Sequence, residues 1–300
     1  MPWPPEAEMR QLVGRAEALG WDEAMFEFMR TRVSSGAGVV EDERVADWRF
    51  LLPRTGRDAA LVLGCGLGTV PAALCDMFAT VHVVDTSAER VRLLELRASE
   101  HGIANLVPTR VARGGALPFA AEGFDLVVAR SSDWEFRAAG ADGRGAFRAV
   151  AQDVHRVLKE GGGAYLGVPN RLSYERLLRP WTPRDGFACS QRGYRRILAQ
   201  AGFAEIRFYA PLPGHEGIPL FYVPVDDGAL LEYFFECVFP LFDAVSPEVK
   251  RLYAVEYRLA KLAVRLGGWL GLRPLARHLV RGFGIIATRG PRRAPSPGAP

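Results

Sequence analysis

The stretch Leu61-Val62-Leu63-Gly64-Cys65-Gly66-Leu67-Gly68-Thr69 decides the fold, because an apolar run meets three glycines spaced two residues apart. The run predicts a short buried strand, and the following residues predict a helix with Thr69 at its N-cap and Pro71 in its first turn. A strand, a glycine turn and a helix begin a nucleotide-binding α/β unit, in which backbone N–H groups approach a ligand closely. The alternative is a tight turn that serves packing alone.

An acidic residue follows this turn at the distance expected for ribose binding. The β-branched segment 79–85 predicts a second strand that ends in Asp85, about 20 residues after the glycines. In a parallel sheet, its carboxylate would lie at the carboxyl end of the strand, beside the glycine turn. The alternative is an acid that caps the amphipathic helix predicted over 87–101.

The remaining pattern alternates strands and helices. Three more strands are predicted over 106–111, 124–129 and 164–170, with a helix over 146–158 and a turn over 159–163 before the last of them. This alternation is typical of a doubly wound, mostly parallel sheet. Two helices, predicted over 6–32 and 41–52, precede the glycine turn and would form a cap or pack against the sheet.

Composition excludes several classes of protein. The 300 residues carry a net charge of +4 and no basic block interleaved with aromatic residues, so we expect no nucleic-acid partner. Four scattered cysteines without a CxxC pair indicate a reducing compartment and no metal site. Since neither a signal peptide nor a run of 18 uncharged apolar residues occurs, we expect a cytoplasmic protein.

Five short motifs follow one another between residues 62 and 162, at 62–68, 83–85, 116–119, 124–127 and 157–162. Their order and spacing resemble the class I S-adenosylmethionine-dependent methyltransferases, with a core similar to methyltransferase type 11. The Leu-Lys-x-Gly-Gly turn is the most specific of them. The glycine pattern is GxGxG, whereas NAD-binding folds use GxGxxG and position 69 is Thr here, which argues against NAD.

The resemblance implies S-adenosylmethionine as cofactor, in a seven-stranded Rossmann-like sheet that is mostly parallel with an antiparallel last strand. It implies a cofactor site made of Gly64, Cys65 and Gly66 on the methionine part, Asp85 on both ribose hydroxyls, Thr86, Arg113 and Gly114 near the adenine, and Arg130 below the cofactor, facing the substrate. One carboxylate can accept both ribose hydrogen bonds.

Two residues depart from the family pattern. Val62 stands where the family often has an acid, two residues before the first glycine. Arg113 stands where an Asp often accepts a hydrogen bond from the adenine amino group, and a guanidinium accepts none, although it could stack on the ring. These departures leave a second hypothesis open, a non-catalytic methyltransferase-like binding or scaffold protein.

The resemblance continues more loosely to the end of the chain. The "AGF" turn at 201–203 leads to a sixth strand over 204–210, and 282–289 resembles the antiparallel last strand. We therefore expect four parts: an N-terminal cap over 1–55, a core over 56–210 plus 282–289, a loop and helical insertion over 211–281, and a disordered tail over 290–300.

The acceptor and the general base are less clearly marked. The Asn/Asp-Pro-Pro-aromatic signature of amino-group and nucleobase methyltransferases is absent after the fourth strand, which favours a small-molecule or saccharide-type acceptor methylated at oxygen. His215, in a Pro/Gly loop after the sixth strand, is the candidate general base, and a surface histidine is the alternative.

The insertion carries a basic amphipathic pattern. Leucines and valine at 252–266 recur at helical spacing beside Arg251, Arg258 and Arg265. We expect a helical lid over the core. The alternatives are peripheral contact with an anionic membrane through 229–270, or a homodimer interface.

Overall fold

The computed structural model describes residues 4–34, 42–53, 56–130, 143–173, 176, 187–212, 219–227, 230, 233–234 and 276–291. Its helices are α1 (Glu6–Leu19), α2 (Trp21–Ser34), the 3-10 helix η1 (Glu43–Leu51), α3 (Thr69–Cys75), α4 (Ala88–Glu100), α5 (Gly143–Val157), α6 (Gln191–Gln200) and α7 (Ala276–Leu279). Its strands are β1 (Ala59–Leu63), β2 (Thr80–Asp85), β3 (Leu106–Arg110), β4 (Phe124–Arg130), β5 (Leu158–Pro169), β6 (Phe203–Leu212), β7 (Phe221–Pro224) and β8 (Gly282–Arg289).

The strands form one sheet in the order β3-β2-β1-β4-β5-β8-β6-β7. The first five are parallel, and β8 runs antiparallel to both β5 and β6. The prediction of a doubly wound, mostly parallel sheet with an antiparallel last strand is therefore confirmed. The chain order reverses between β1 and β4, and open α/β sheets bind ligands in the crevice at such a reversal.

The predicted count of seven strands is wrong, because the described residues alone form a sheet of eight. The additional strand β7 pairs antiparallel with the end of β6, with Pro211 opposite Tyr222. This segment was assigned to loop and helices, since four residues are too few for a clear alternation of apolar and polar positions. Proline is tolerated in β6 here because the register of β6 with β8 ends at Tyr209, so among the described strands Pro211 pairs only with β7.

The N-terminal segment differs from the two predicted helices. The first is interrupted at Gly20, whose φ of 92° ends α1 and whose N–H donates to the Ala16 carbonyl. The second is a 3-10 helix, which begins after Asp42 caps the backbone N–H of Arg44. Buried residues of α1 and α2, such as Leu12 and Trp21, form one cluster with Leu67 of the glycine turn and Leu93 of α4.

The two faces of the sheet are covered differently. Leu61 and Leu63 belong to a core cluster shared with α5 and α6, whereas Val62 belongs to the opposite cluster, which contains Trp48 of η1. Val62 is 3% exposed among apolar neighbours. A carboxylate at this position would be buried, which is costly unless a partner pairs with it, whereas the Val62 side chain packs there without that cost.

Candidate functional site

The glycine turn lies at the carboxyl end of β1, in the crevice where the strand order reverses. Gly64, Gly66 and Gly68 have φ angles of 90°, 56° and 94°, which residues with a Cβ rarely adopt. The Gly64 N–H donates to the Val84 carbonyl (2.7 Å), so the turn is fastened to β2. The N-cap of α3 is Gly68 and not Thr69, because the left-handed glycine forms the bend and Thr69 is already helical.

Asp85 is the last residue of β2 and is 5% exposed. Its Oδ1 accepts hydrogen bonds from the backbone N–H of Ser87 (2.8 Å) and from Arg90 Nη2 (2.7 Å). Its Oδ2 accepts from the backbone N–H of Cys65 (2.9 Å) and from Arg90 Nε (2.9 Å). A carboxylate offers about four acceptor positions, so the described residues engage all of them.

The first turn of α4 connects Asp85 to the N-terminal helices. Ser87 is the N-cap of α4, and its Oγ accepts the backbone N–H of Arg90 (3.2 Å). The same hydroxyl donates to Glu6 Oε1 at the start of α1 (2.8 Å). The helix α1 therefore docks directly beside the residue that was predicted to bind ribose.

Three further predicted cofactor residues surround the same edge of the sheet. Thr86 follows Asp85 and is half-buried, while Arg113 and Gly114 are exposed in the loop after β3. The Val111 N–H donates to the Asp85 carbonyl (2.8 Å), which holds the start of that loop against β2. The structure thus gathers the glycine turn, Asp85, Thr86 and this loop around one crevice.

The end of this loop is anchored from α5. The Asp153 carboxylate accepts the Leu117 N–H (3.1 Å), and the Arg156 guanidinium donates to the Leu117 and Phe119 carbonyls. The motif at 116–119 therefore shapes the loop through its backbone.

Arg130 ends β4 and lies opposite Gly167 of β5, one step beyond the end of β1. Space above Gly167 is bounded by Arg130 and Tyr165, since a Cβ there would lie 3.7 Å from Arg130 Cγ and 3.8 Å from Tyr165 Cε1. Across the sheet, the Tyr165 ring covers Gly284, where a Cβ would approach it to 3.1 Å. Trp48 stacks on that ring, with centroids 4.0 Å apart and planes 7° apart.

This region is rich in hydrogen-bond donors. Burial raises the pKa of Tyr165 to about 12 and also raises the pKa of Tyr222, while Arg130 opposes both shifts, so both phenols are neutral near pH 7. Among the described residues, neither the Tyr222 hydroxyl nor the Trp48 indole N–H makes a hydrogen bond of normal geometry. The two hydroxyls do influence each other's pKa, which places Tyr222 beside Tyr165. We name Trp48, Arg130, Tyr165 and Tyr222 the donor cluster.

Sequence reasoning missed Arg90 and three residues of the donor cluster. Arg90 lies five residues after Asp85, in the first turn of a helix, and this spacing was a usable signal. Trp48, Tyr165 and Tyr222 come from η1, β5 and β7, so only the tertiary fold brings them together.

Other predicted residues lie outside the described part of the chain. These include His215, and the segment 229–270 apart from Leu230, Tyr233 and Phe234. The general base, the membrane contact and the dimer interface therefore stay predictions. Phe234 is 6% exposed and packs edge-on against Phe221, with ring centroids 5.4 Å apart.

The Leu-Lys-x-Gly-Gly motif lies at the amino ends of the parallel strands, away from the glycine turn at their carboxyl ends. Lys159 donates to Asp125 Oδ2 (3.0 Å) and to Asp58 Oδ2 (2.8 Å), and Asp125 Oδ2 also accepts the backbone N–H groups of Asp58 and Ala59. The predicted turn over 159–163 belongs to β5, with a register shift against β4 and a φ of 73° at Gly161. Asp125 and Lys159 therefore join the amino ends of β1, β4 and β5 rather than bind a ligand.

One group of exposed side chains has ligand atoms within 4.8 Å of one another, Asp22, Glu100 and His101. The Glu100 carboxylate accepts the backbone N–H groups of Trp21 and Asp22, and His101 Nε2 lies 3.0 Å from Asp22 Oδ1. These bonds fasten the start of α2 to the end of α4, which accounts for the cluster without an ion.

Within the described ranges, no helix combines the length and the apolar character needed to cross a bilayer.

A family model described as "Methyltransferase domain" matches residues 60–162. No curated protein matches the sequence. Among solved structures, the chain is similar to the cyclase SpnF, with 16% identity and a TM-score of 0.48 over 83% of this chain and 81% of that one. It is similar to the YcgJ protein of Bacillus subtilis, with 15% identity and a TM-score of 0.47 over 83% of this chain and 98% of that one.

It is also similar to phosphoethanolamine N-methyltransferase 2 of Haemonchus contortus in complex with S-adenosyl-L-methionine. The identity is 17% and the TM-score 0.48, over 83% of this chain and 52% of that one. At such identities and TM-scores, the activities and ligands of these proteins remain statements about them alone.

Proposed function

We propose that this chain is a class I S-adenosylmethionine-dependent methyltransferase that methylates an oxygen atom of a small-molecule or saccharide-type acceptor, and the methyltransferase family model that matches residues 60–162 supports this. The chain is an enzyme, and S-adenosylmethionine is its cofactor. The observation that supports the proposed site most directly is the buried Asp85 carboxylate, hydrogen-bonded to the left-handed glycine turn at the reversal of strand order.

The residues of the crevice fit the cofactor in their chemistry. A glycine turn at positive φ allows backbone to approach the methionine part, and Asp85 offers carboxylate oxygens to hydroxyl donors. Two of the four acceptor positions of Asp85 serve the backbone of the turn and of Ser87. The other two are engaged by Arg90, so ribose binding requires that this guanidinium yields.

When bound, S-adenosylmethionine supplies an electrophilic methyl group for an in-line displacement by the acceptor. The chain's contribution is to fix the acceptor oxygen on that line, and positioning of this kind supplies much of the rate. Arg130 and the neighbouring space above Gly167 lie one step beyond the glycine turn along the same edge. We assign the acceptor to this space.

The donor cluster supports an oxygen-bearing acceptor. A guanidinium and an indole N–H only donate hydrogen bonds, and a neutral phenol donates while it also accepts. These groups suit hydroxyl, carboxylate or phosphate oxygens better than an ammonium group, which would repel Arg130. His215 is proposed as the general base that takes the hydroxyl proton.

A transfer assay tests this function. The purified chain is incubated with methyl-labelled S-adenosylmethionine and matched sugar, phenol, lipid-linked and primary-amine acceptors. Label in a hydroxyl-bearing acceptor supports the proposal. Alkaline treatment then distinguishes the product, because a methyl ether keeps the label and a methyl ester loses it. Label in amines alone would contradict oxygen methylation, and no detectable cofactor binding by a folded sample would contradict the assignment as an enzyme.

With the acceptor identified, His215→Ala should reduce turnover severely, and unchanged turnover would remove His215 as the base.

A further inference from the structure

The carboxylate that is proposed to bind ribose is held by a side chain of α4, the helix that follows it. Arg90 donates two parallel hydrogen bonds to Asp85, of 2.7 and 2.9 Å. We propose that Arg90 is a positioning residue that competes with the cofactor ribose for Asp85, so that release of this ion pair sets the affinity for S-adenosylmethionine. The inference rests on the ribose role of Asp85 in the proposed function.

Arg90 is the partner that can leave. The other two donors to Asp85 are the backbone N–H groups of Cys65 and Ser87, which belong to the glycine turn and to the N-cap of α4. Moving either would rebuild the site itself. The Arg90 side chain is 19% exposed on a long flexible stem, so it can rotate away while its backbone stays bonded to Ser87 Oγ.

The exchange is chemically balanced. Ribose carries two adjacent hydroxyls, which donate two hydrogen bonds, and Arg90 vacates two acceptor positions, one on each oxygen of Asp85. A bidentate guanidinium–carboxylate pair is among the stronger polar contacts, so it keeps most molecules in the closed arrangement. The apparent dissociation constant is then the intrinsic one divided by the fraction of molecules with Asp85 released.

This arrangement predicts that removing the guanidinium tightens cofactor binding. Titration calorimetry with S-adenosylhomocysteine should give a dissociation constant about three- to tenfold lower for Arg90→Ala than for the wild-type chain, corresponding to a released fraction of roughly a tenth to a third. Arg90→Lys cannot form the bidentate pair and should fall between them. Because Arg90→Lys keeps the positive charge, it also tests the proposal if Arg90→Ala does not fold.

Arg92→Ala is the matched control. Arg92 lies on the same helix and pairs with Glu17 and Glu95, away from Asp85, so its loss should leave the dissociation constant unchanged. A general effect of removing positive charge from α4 would appear in this variant as well.

A second ligand pair separates competition from a structural effect. Arg90→Ala should tighten binding of adenosine but not of 2′,3′-dideoxyadenosine, because the latter has no ribose hydroxyls to place on Asp85. Equal tightening of both nucleosides would overturn the competition. Weaker or unchanged S-adenosylhomocysteine binding in both Arg90 variants would also overturn it, with the wild-type chain still binding. No binding by wild type or variants would instead contradict the proposed function.

Discussion

Asp125 illustrates how one buried carboxylate can organise a sheet without taking part in chemistry. It is 5% exposed, and a single oxygen receives two backbone N–H groups and the Lys159 ammonium. Hydrogen bonding to Asp58 and Asp125 outweighs the partial burial of Lys159 and raises the pKa of that ammonium, which keeps it charged. The motifs at 124–127 and 157–162 thus each contribute one partner of the Asp125–Lys159 ion pair.

We expect Asp125→Ala to lower the free energy of unfolding by about 1–2 kcal/mol, because it removes the acceptor of two partly buried backbone N–H groups, those of Asp58 and Ala59. Asp58→Ala is the control, since Asp58 also pairs with Lys159 but its side chain is 83% exposed. Exposed pairs contribute roughly 0–1 kcal/mol. Urea denaturation measures both, and equal losses would show that the Lys159 pair, and not the N–H groups, carries the stability.

We expect removal of the Tyr222 hydroxyl to raise stability and to lower activity. Its hydroxyl is buried beside that of Tyr165, whose hydrogen bond to it falls short of normal geometry, and a poorly satisfied buried hydroxyl is costly unless a ligand uses it. Tyr222→Phe should therefore raise the free energy of unfolding by about 0.5–1 kcal/mol, and lower kcat/KM for the acceptor found in the transfer assay. Thermal denaturation and initial rates measure the two quantities. Gained stability with unchanged kcat/KM would remove Tyr222 from the acceptor site.

At the scale of elements, η1 shows where sequence reasoning succeeded and where it stopped. An apolar segment before Pro53 was predicted as a helix packed on the sheet, and its residues do cover the sheet face. The 3-10 geometry was not predictable, because the pattern of apolar residues does not separate it from a short α-helix over nine residues. The stacking of Trp48 on Tyr165 was equally hidden, since it joins residues from distant parts of the chain.

Truncation of Trp48 tests the docking of η1. Trp48 is completely buried, so Trp48→Ala should cost about 3–5 kcal/mol through lost contacts and a residual cavity. Phe50 is the control because it lies on the same helix but is 71% exposed, and Phe50→Ala should change stability by no more than about 0.5 kcal/mol. Both are read from chemical denaturation midpoints. If Trp48→Ala lost as little stability as Phe50→Ala, the packing of η1 on the sheet would contribute little to the stability.

At the scale of the whole molecule, the sequence predicted the parallel core well, because Gly64, Asp85 and Asp125 each carry a local signal. It predicted the boundary of the core less well. The strand β7 is short and lies at the edge, and Gly20 interrupts a pattern of apolar residues that continues on both sides. The competition at Asp85 was not predictable, since a sequence shows which residues can bind a ligand but not which partners they already have.

The pH dependence of folding is a property of the whole molecule, to which two histidines contribute. Burial lowers the pKa of His82, which packs against Phe119 and Phe124. Burial and the nearby Arg289 also lower the pKa of His155 from its ordinary value of 6.5. Between the two pKa values of each histidine, the unfolded chain binds a proton that the folded chain does not. The stability is therefore fully present above about pH 6.5 and is lost as the pH falls through the folded pKa.

We expect the free energy of unfolding to decrease between pH 7 and pH 5, with a slope of up to about 1.4 kcal/mol per pH unit for each histidine. His155→Gln should remove its share of this slope, and the double variant with His82→Gln should flatten it further. Urea denaturation at half-unit pH steps measures the slope. Both variants lose the aromatic contact of the imidazole, so the comparison rests on the slope and not on the stability at pH 7. An unchanged slope in the double variant would assign the acid sensitivity to other groups, because neither substituted side chain titrates in this range.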